Sequence, residues 1–366
     1  MANLVHSNAD NSIIDKEFSG NIYLFHAFDV GDDINFEKVQ QIRSLTQVPL
    51  TLPKYFKNYH TPLAVELPRP HESARCISAK INSFGAISLT YQLPFDGTLE
   101  RVLKDFNRIN NQFLEQSVID AKSIFKKIEH CITQPHFFQM NTTYAVVQVN
   151  PDQAISITDL KNQYGGVITS MLRFETQSLS EYQKNEILAS AIGYFRGDLI
   201  IVDTDATFLY DAEYAEILDL FEFANIQQLE LRYFDRLLDQ QLHKIYEGEG
   251  RNLPIQSYLP FSVSVSSDPI ARLGKLKVDI SVITERLESS IKFAGEPYFS
   301  ELYDLLVQQL DLSNWKHSID RKLTIIHDIQ SVYQNKIDVT RGDILSILVI
   351  VLIFIELLIG LLNFLK

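Results

Sequence analysis

The feature that most constrains this chain is an uninterrupted apolar segment near its carboxyl end. Ile344 to Leu365 reads ILSILVIVLIFIELLIGLLNFL, and 18 of these 22 residues are Ile, Leu, Val or Phe. As a helix the segment is about 33 Å long, which matches the roughly 30 Å hydrocarbon core of a bilayer. Because such a helix is apolar on every side, the pattern predicts one transmembrane helix over 344–365.

One residue of this segment opposes insertion into a membrane. Glu356 lies near its middle, where an acid costs roughly 3 kcal/mol, whereas the apolar residues together return roughly −5 to −11 kcal/mol. Only Lys366 follows the span, so we expect insertion after translation and a tail-anchored protein. Lys336 and Arg341 precede the span and favour a cytoplasmic amino-terminal side. The sequence therefore predicts a single-pass membrane protein whose amino-terminal body lies in the cytoplasm.

Composition and the amino-terminal end narrow the class of protein. Met1 to Asp15 has neither the basic nor the apolar region of a secretory signal, and it contains no Arg. The formal net charge is −13, which argues against binding to a phosphate backbone, so we expect no direct DNA binding. Cys76 and Cys131 lack C-x-x-C spacing, which favours reduced, buried thiols, although a single bridge between them stays open.

The sequence of the soluble part predicts an α+β fold, in which helices pack on one face of a mixed sheet. Asn21 to Ile42 is typical of a strand, a turn and a short helix, and Arg75 to Asn82 with Ala86 to Leu93 is typical of a hairpin. Thr98 is a candidate N-cap for a long helix to about Ile132. Further strands are predicted at 142–149, 198–203 and 206–210, and further helices at 186–192 and 212–247.

Helix patterns continue without strands after a linker rich in Gly and Pro. They cover 271–293, 298–310 and a last stretch from 313 into the membrane. The predicted organisation is a disordered 1–20, an α/β cytoplasmic body over 21–248, a linker over 249–268, a helical stalk over 269–343 and the span over 344–365. A division of the body into two subdomains near 150–185 stays open.

Apolar residues recur at spacings of three and four along the predicted stalk, and this pattern is typical of a coiled coil. We call the following residues the stalk stripe: Ile319, Leu323, Ile326, Tyr333 and Ile337. The pattern predicts self-association of the stalk and hence a homo-oligomer. The alternative is a surface helix folded onto its own domain, which shows a similar stripe.

The chain also resembles a known family of membrane-anchored proteins. The segments FANIQQLELRYFDRLLDQQL from Phe223, ITERLESSIKFAGEPYFSELYDLL from Ile283 and SIDRKLTIIHDIQSVYQNKI from Ser318, with LVIVLIFIELL around Glu356, resemble the "required for meiotic nuclear division" family, long filed as a domain of unknown function. The resemblance covers about Leu188 to the end. It implies an α/β domain followed by a helical hairpin and an anchor. Because a transit peptide is lacking, the chain is similar to the bacterial form, which implies the cytoplasmic (inner) membrane. By analogy with mitochondrial relatives it suggests the ribosome as a partner, and it implies no catalytic motif.

Three residues of the span form a polar or small stripe. Glu356, Gly360 and Asn363 lie at i, i+4 and i+7, so they share one helix face. Such a face favours packing against another helix, because Gly allows close approach and polar groups hydrogen-bond across the contact. An oligomer interface is thus one interpretation, a pore or proton path is a bolder one, and a protonated Glu356 tolerated alone is the third.

Two acids of the body are candidate metal ligands. Asp203 and Asp205 form a D-x-D pair that could hold Mg²⁺ or Mn²⁺ for an enzyme acting on a phosphorylated substrate. A hairpin turn, however, also recruits Asp for its own backbone hydrogen bonds. The histidines lack metal-ligand spacing and no catalytic motif is visible, so the sequence predicts no cofactor and favours a membrane scaffold or tether that presents its body to a soluble protein partner.

Overall fold

A computed structural model describes residues 16–56, 61–67, 76–137, 140–152, 154–246, 269–289 and 296–364. The strands in these ranges are β1 (Phe18–Asp29), β2 (Gln47–Val48), β3 (Leu63–Val65), β4 (Cys76–Asn82), β5 (Ala86–Gly97), β6 (Asn141–Val149), β7 (Ala191–Ile192), β8 (Leu199–Val202) and β9 (Ala206–Tyr210). The helices are α1 (Phe36–Gln40), α2 (Leu99–Ile128), α3 (Ile157–Leu172), α4 (Glu181–Ala189), α5 (Ala215–Tyr246), α6 (Pro269–Ser289), α7 (Pro297–Gln309) and α8 (Leu312–Phe364).

One nine-stranded mixed sheet organises the body, which confirms the predicted α+β class. The strand order is β2-β3-β4-β5-β1-β6-β9-β8-β7, and every neighbouring pair is antiparallel except β6 with β9. The predicted hairpin is β4 and β5, turned at Gly85. β1 begins at Phe18, so the sheet includes the last residues of the segment predicted to be disordered. The sheet also joins strands from both sides of 150–185, where a subdomain break was an open alternative.

Helices cover both faces of the sheet, whereas the sequence predicted them on one face. Leu24 and Phe28 of β1 belong to the core that includes α2 and α3. On the opposite face, Tyr144 of β6 stacks on Phe221 of α5 with ring centroids 5.7 Å apart. The difference arises because both faces of β1 are buried, so apolar side chains need cover on each side.

Local sequence explains where the helices begin. The Thr98 side chain accepts a hydrogen bond from the Arg101 amide at 3.3 Å, which confirms the predicted N-cap of α2. α3 was not predicted, yet Ser156 caps it by accepting from the Asp159 amide at 3.1 Å. The helix predicted at 186–192 ends at Ala189, since the next residues pair with β8 as β7.

Contacts within the chain define two compact units. The first comprises 1–233 with 286–313 and contains the sheet, and the second comprises 234–285 with 314–366. The boundary near 233 falls inside α5, whereas the sequence placed the end of the body at 248. The predicted linker at 249–268 lies outside the described residues, as do residues 1–15.

Candidate functional site

The most unusual surface of the molecule is the carboxyl-terminal half of α8. Fifteen large apolar side chains between Leu345 and Leu362 each expose at least 44% of their surface. Within the described residues, one helix is long and apolar enough to cross a membrane; it runs from Leu312 to Asn363, and its most apolar 18-residue window has a mean hydropathy of 3.1 and no buried residue. So much contiguous apolar surface is unfavourable in water and marks a site for lipid or protein.

The structure brings the predicted stripe of the span together on that helix. Glu356, Gly360 and Asn363 are all exposed and lie on consecutive turns. A Cβ atom built on Gly360 would meet no atom of the described chain within 4 Å. The face is therefore open to a neighbouring helix, and its role as an interface stays a prediction.

The stalk stripe is buried inside the chain. Ile319 and Ile326 are fully buried, Ile337 and Leu323 are nearly so, and Tyr333 is half-buried. These residues belong to the second unit, and their burial agrees with the alternative interpretation, a helix folded onto its own domain. Self-association through this stripe would require the unit to open.

Polar contacts tie the same part of α8 to α5. Lys322 Nζ lies 2.7 Å from Asp235 Oδ1 and 2.6 Å from Asp239 Oδ1. Ser318 Oγ donates a second hydrogen bond to Asp235 Oδ1 at 2.6 Å. These contacts flank the buried stripe and fix the rotation of α8 within the second unit.

The two candidate metal ligands lie in different environments. Asp203 is buried beside the β8–β9 turn, where its Oδ1 accepts from the Thr204 amide at 2.9 Å and Arg173 Nε lies 2.5 Å from Oδ2. Burial raises the pKa of Asp203, and the contacts with Thr204 and Arg173 oppose that shift. Asp205 is exposed and accepts from the Thr204 hydroxyl at 3.0 Å. Among the described residues, no group of three or more His, Cys, Asp or Glu side chains is arranged to hold a metal ion.

A buried charge cluster between the sheet and α5 was missed by sequence reasoning. Lys80 Nζ lies 2.6 Å from Glu222 Oε2 and 3.2 Å from Asp219 Oδ1, and Ser88 Oγ donates to Glu222 Oε1 at 2.7 Å. Burial by itself would lower the pKa of Lys80, but the two carboxylates outweigh it and raise that pKa. The adjoining cavity measures only about 10 Å³, which is room for about one water molecule.

A second missed cluster lies where β1 ends. His136 Nε2 lies 2.7 Å from Asp29 Oδ2, its Nδ1 lies 3.1 Å from the Gln134 carbonyl oxygen, and its ring stacks on Tyr233 at 5.9 Å. The bond to Asp29 raises the pKa of His136. Burial raises the pKa of the nearby Glu230 well above its ordinary value. Because both ring nitrogens of His136 are engaged, the arrangement holds the loop in place and leaves no nitrogen to accept a proton from a substrate.

Glycines explain why these loops can approach so closely. Gly85 has φ of 101°, and a Cβ atom there would overlap the carbonyl oxygen of Gly31. Val30 donates its amide hydrogen to the Gly85 carbonyl oxygen at 2.8 Å, and His136 donates its own to the Val30 carbonyl oxygen at 3.0 Å. The spacing of charged residues in the sequence gives no signal for either cluster, since the contacts of Lys80 with Glu222 and of His136 with Asp29 join residues more than one hundred positions apart.

These features define a class of protein: an α+β body followed by one helix that is long and apolar enough to cross a membrane. The family model for the amino-terminal domain of the uncharacterized protein MJ0711 matches residues 19–216, so the chain belongs to that family. The uncharacterized protein MJ0711 of Methanocaldococcus jannaschii is 25% identical over 197 residues, which are 53% of this chain and 59% of that protein. The chain thus spans about three fifths of the relative that it matches, and no solved structure matches it.

The family match covers the sheet and leaves out the apolar half of α8. It runs from β1 to the first two residues of α5. The segments that resemble the "required for meiotic nuclear division" family begin at Phe223 and lie beyond this match, so that relationship stays a prediction.

Proposed function

We propose that this protein is a membrane tether, anchored by the carboxyl-terminal half of α8 and presenting its α+β body to a soluble protein partner. The observation that supports the proposal most directly is the apolar surface between Leu345 and Leu362, which no part of the described chain covers. Inserting this segment removes the apolar surface from water, and the backbone polar groups stay satisfied within the helix.

The supporting geometry also favours a tether over an enzyme. The two buried polar clusters at Lys80 and at His136 are closed by their own partners, and the cavity beside Lys80 has room for about one water molecule. Asp203 is engaged by Arg173 and by its own turn, which is the hairpin interpretation of the D-x-D pair. These two clusters and the D-x-D pair therefore give no support to an enzyme, and the proposal depends on the apolar surface of α8.

Fractionation of the full-length chain tests the anchor. We expect the chain to remain in the membrane pellet after extraction with alkaline carbonate and to enter solution only with detergent. A chain truncated after Asp343 should be released by carbonate. Recovery of the full-length chain in the supernatant without detergent would reject the tether.

Orientation and partner are tested on the same membranes. We propose that the body lies on the cytoplasmic side of the inner membrane, as Lys336 and Arg341 favour, so a protease added to intact cells or spheroplasts should not digest it.

Affinity capture with full-length chain solubilised from native membranes tests the partner. Enrichment of ribosomal proteins over a control capture with an unrelated single-pass protein would support the ribosome, the partner suggested by the family resemblance.

A further inference from the structure

The aqueous part of α8 exposes apolar residues on the face away from its own unit. Before Ile344, the large apolar side chains of α8 that are mainly exposed are Val332, at 66%, and Val339, at 65%. They lie seven residues apart. At 100° per residue, their face lies roughly 160° around the helix from the buried stalk stripe. The stalk stripe is covered by the chain itself, whereas this face is open.

The same heptad spacing continues from Val332 into the span. From Val339 onward, alternate steps of three and four reach Gly342, Ser346, Val349, Ile353, Glu356, Gly360 and Asn363. We call Val332 and these positions from Val339 to Asn363 the outer stripe. Every position of the outer stripe is exposed in the described chain.

The composition of the span singles out this stripe. Between Ile344 and Leu365, the residues other than Ile, Leu, Val and Phe are Ser346, Glu356, Gly360 and Asn363. All of them fall on the outer stripe, although a heptad interface takes only about two positions in every seven. Lipid alone gives no reason for small and polar residues to share one face, whereas a second helix does, because small residues allow close approach and polar groups find partners across the contact.

We propose that the outer stripe is a parallel, in-register interface with a second copy of this chain, continuous from the water-exposed part of α8 into the membrane. The inference rests on the proposed membrane anchoring. A single span inserted in one direction makes all copies parallel and sets their outer stripes at the same depth. The stripe then meets itself, so that Val332 faces Val332 and Glu356 faces Glu356.

Charges on either side of the stripe predict where the association is strongest. Asp338 and Asp343 occupy the positions that flank the stripe and would approach each other across a parallel pair. Their repulsion weakens the water-exposed half. The membrane half, with Gly360 and the hydrogen-bonding groups of Glu356 and Asn363, therefore contributes most of the association, and the chain without its span should be monomeric.

Disulfide cross-linking of the full-length chain in membranes tests the interface. Single cysteines replace Val332 or Val339 in a background with C76A and C131A. The matched control is Q334C, which is exposed on the same helix at roughly 130° from the outer stripe. We expect V332C and V339C to form a covalent dimer at least fivefold faster than Q334C, also when the membranes are diluted with excess lipid.

Substitutions in the span complete the test. In the V339C background, S346L should reduce the dimer several-fold because a larger side chain separates the helices, whereas V351L, which enlarges a side chain off the stripe, should leave it unchanged. Equal cross-linking at Val339 and Gln334 would overturn the interface. So would the absence of cross-linking at Val332 and Val339 in a chain that resists carbonate extraction, and either result would leave the anchor intact. Release of the chain by carbonate would instead overturn the anchor, and with it the interface.

Discussion

The body and the carboxyl-terminal half of α8 both depart from the usual rule that charged side chains are exposed and large apolar ones are buried, and they do so in opposite ways. The body buries charged side chains such as Lys80 and Glu222, whereas α8 exposes large apolar ones such as Phe354. In the body, Lys80 lies within hydrogen-bond distance of the Glu222 carboxylate. In the carboxyl-terminal half of α8, no part of the described chain covers the exposed apolar side chains. The difference indicates that the charges of this pair are stabilised inside the chain, whereas the apolar surface of α8 needs cover from lipid or protein.

The largest effect is expected in the span. Replacing Leu352 and Ile355 together by Arg should cost about 7 kcal/mol of insertion free energy, which is comparable to everything that the segment gains. The variant should move from the membrane pellet to the soluble or aggregated fraction. The paired control, V332R with V339R, changes exposed residues outside the span and should stay in the pellet. Loss of both variants from the membrane would show that membrane binding does not depend specifically on the apolar half of α8.

The buried charge cluster should give the next largest effect. K80M leaves the Glu222 carboxylate buried without its cation, so we expect the free energy of unfolding to fall by about 3–5 kcal/mol. Urea unfolding of the full-length chain in detergent measures the change. The exposed pair of Asp105 and Arg108 is the control, since D105N should cost less than about 1 kcal/mol. Equal effects at the two sites would contradict the contrast between buried and exposed charges.

The cluster at His136 should make stability depend on pH. The folded state raises the pKa of His136, so its stabilisation is fully present below the unfolded pKa of about 6.5 and is lost as pH rises through the folded value. The raised pKa values of Asp29 and Glu230 act in the same direction. We expect wild type to lose about 1–2 kcal/mol relative to H136Q between pH 6 and pH 9. Parallel pH profiles for the two proteins would remove His136 from this role.

The smallest effect is expected at the D-x-D pair. D205N should change the free energy of unfolding by less than about 0.5 kcal/mol, because Asp205 is exposed, whereas D203N should cost about 1–2 kcal/mol through the contact with Arg173. Thermal unfolding with and without millimolar Mg²⁺ measures both. A large stabilisation by Mg²⁺ that D205N abolishes would restore the metal hypothesis.

Much of the fold could be predicted because local patterns fix it. The alternation around Gly85 predicts the β4–β5 hairpin, and Thr98 marks the start of α2. α3 escaped prediction, although Ser156 and Asp159 form the local signal of a helix start and could have been found. The cover of the second sheet face by α5 has no local signal, because it depends on where a helix more than sixty residues beyond β6 packs.

The candidate sites likewise divide into those that the local sequence predicts and those that depend on residues far apart in the chain. The stripe of Glu356, Gly360 and Asn363 follows from helix periodicity alone. The contact of Lys80 with Glu222 joins residues 142 positions apart, and that of His136 with Asp29 joins residues 107 apart. Periodicity also could not predict whether the stalk stripe packs within its own chain or against another copy, since a helix folded onto its own unit and a coiled coil show the same spacing.

The sequence by itself determined that α8 ends in a segment apolar on all sides, because composition and helix geometry suffice to say which solvent such a segment prefers. Only the tertiary structure decided which stripe of α8 is already covered and which is left open. That choice depends on the packing of α8 within the second unit, where Lys322 meets Asp235, and contacts between distant residues leave no periodic trace in the chain.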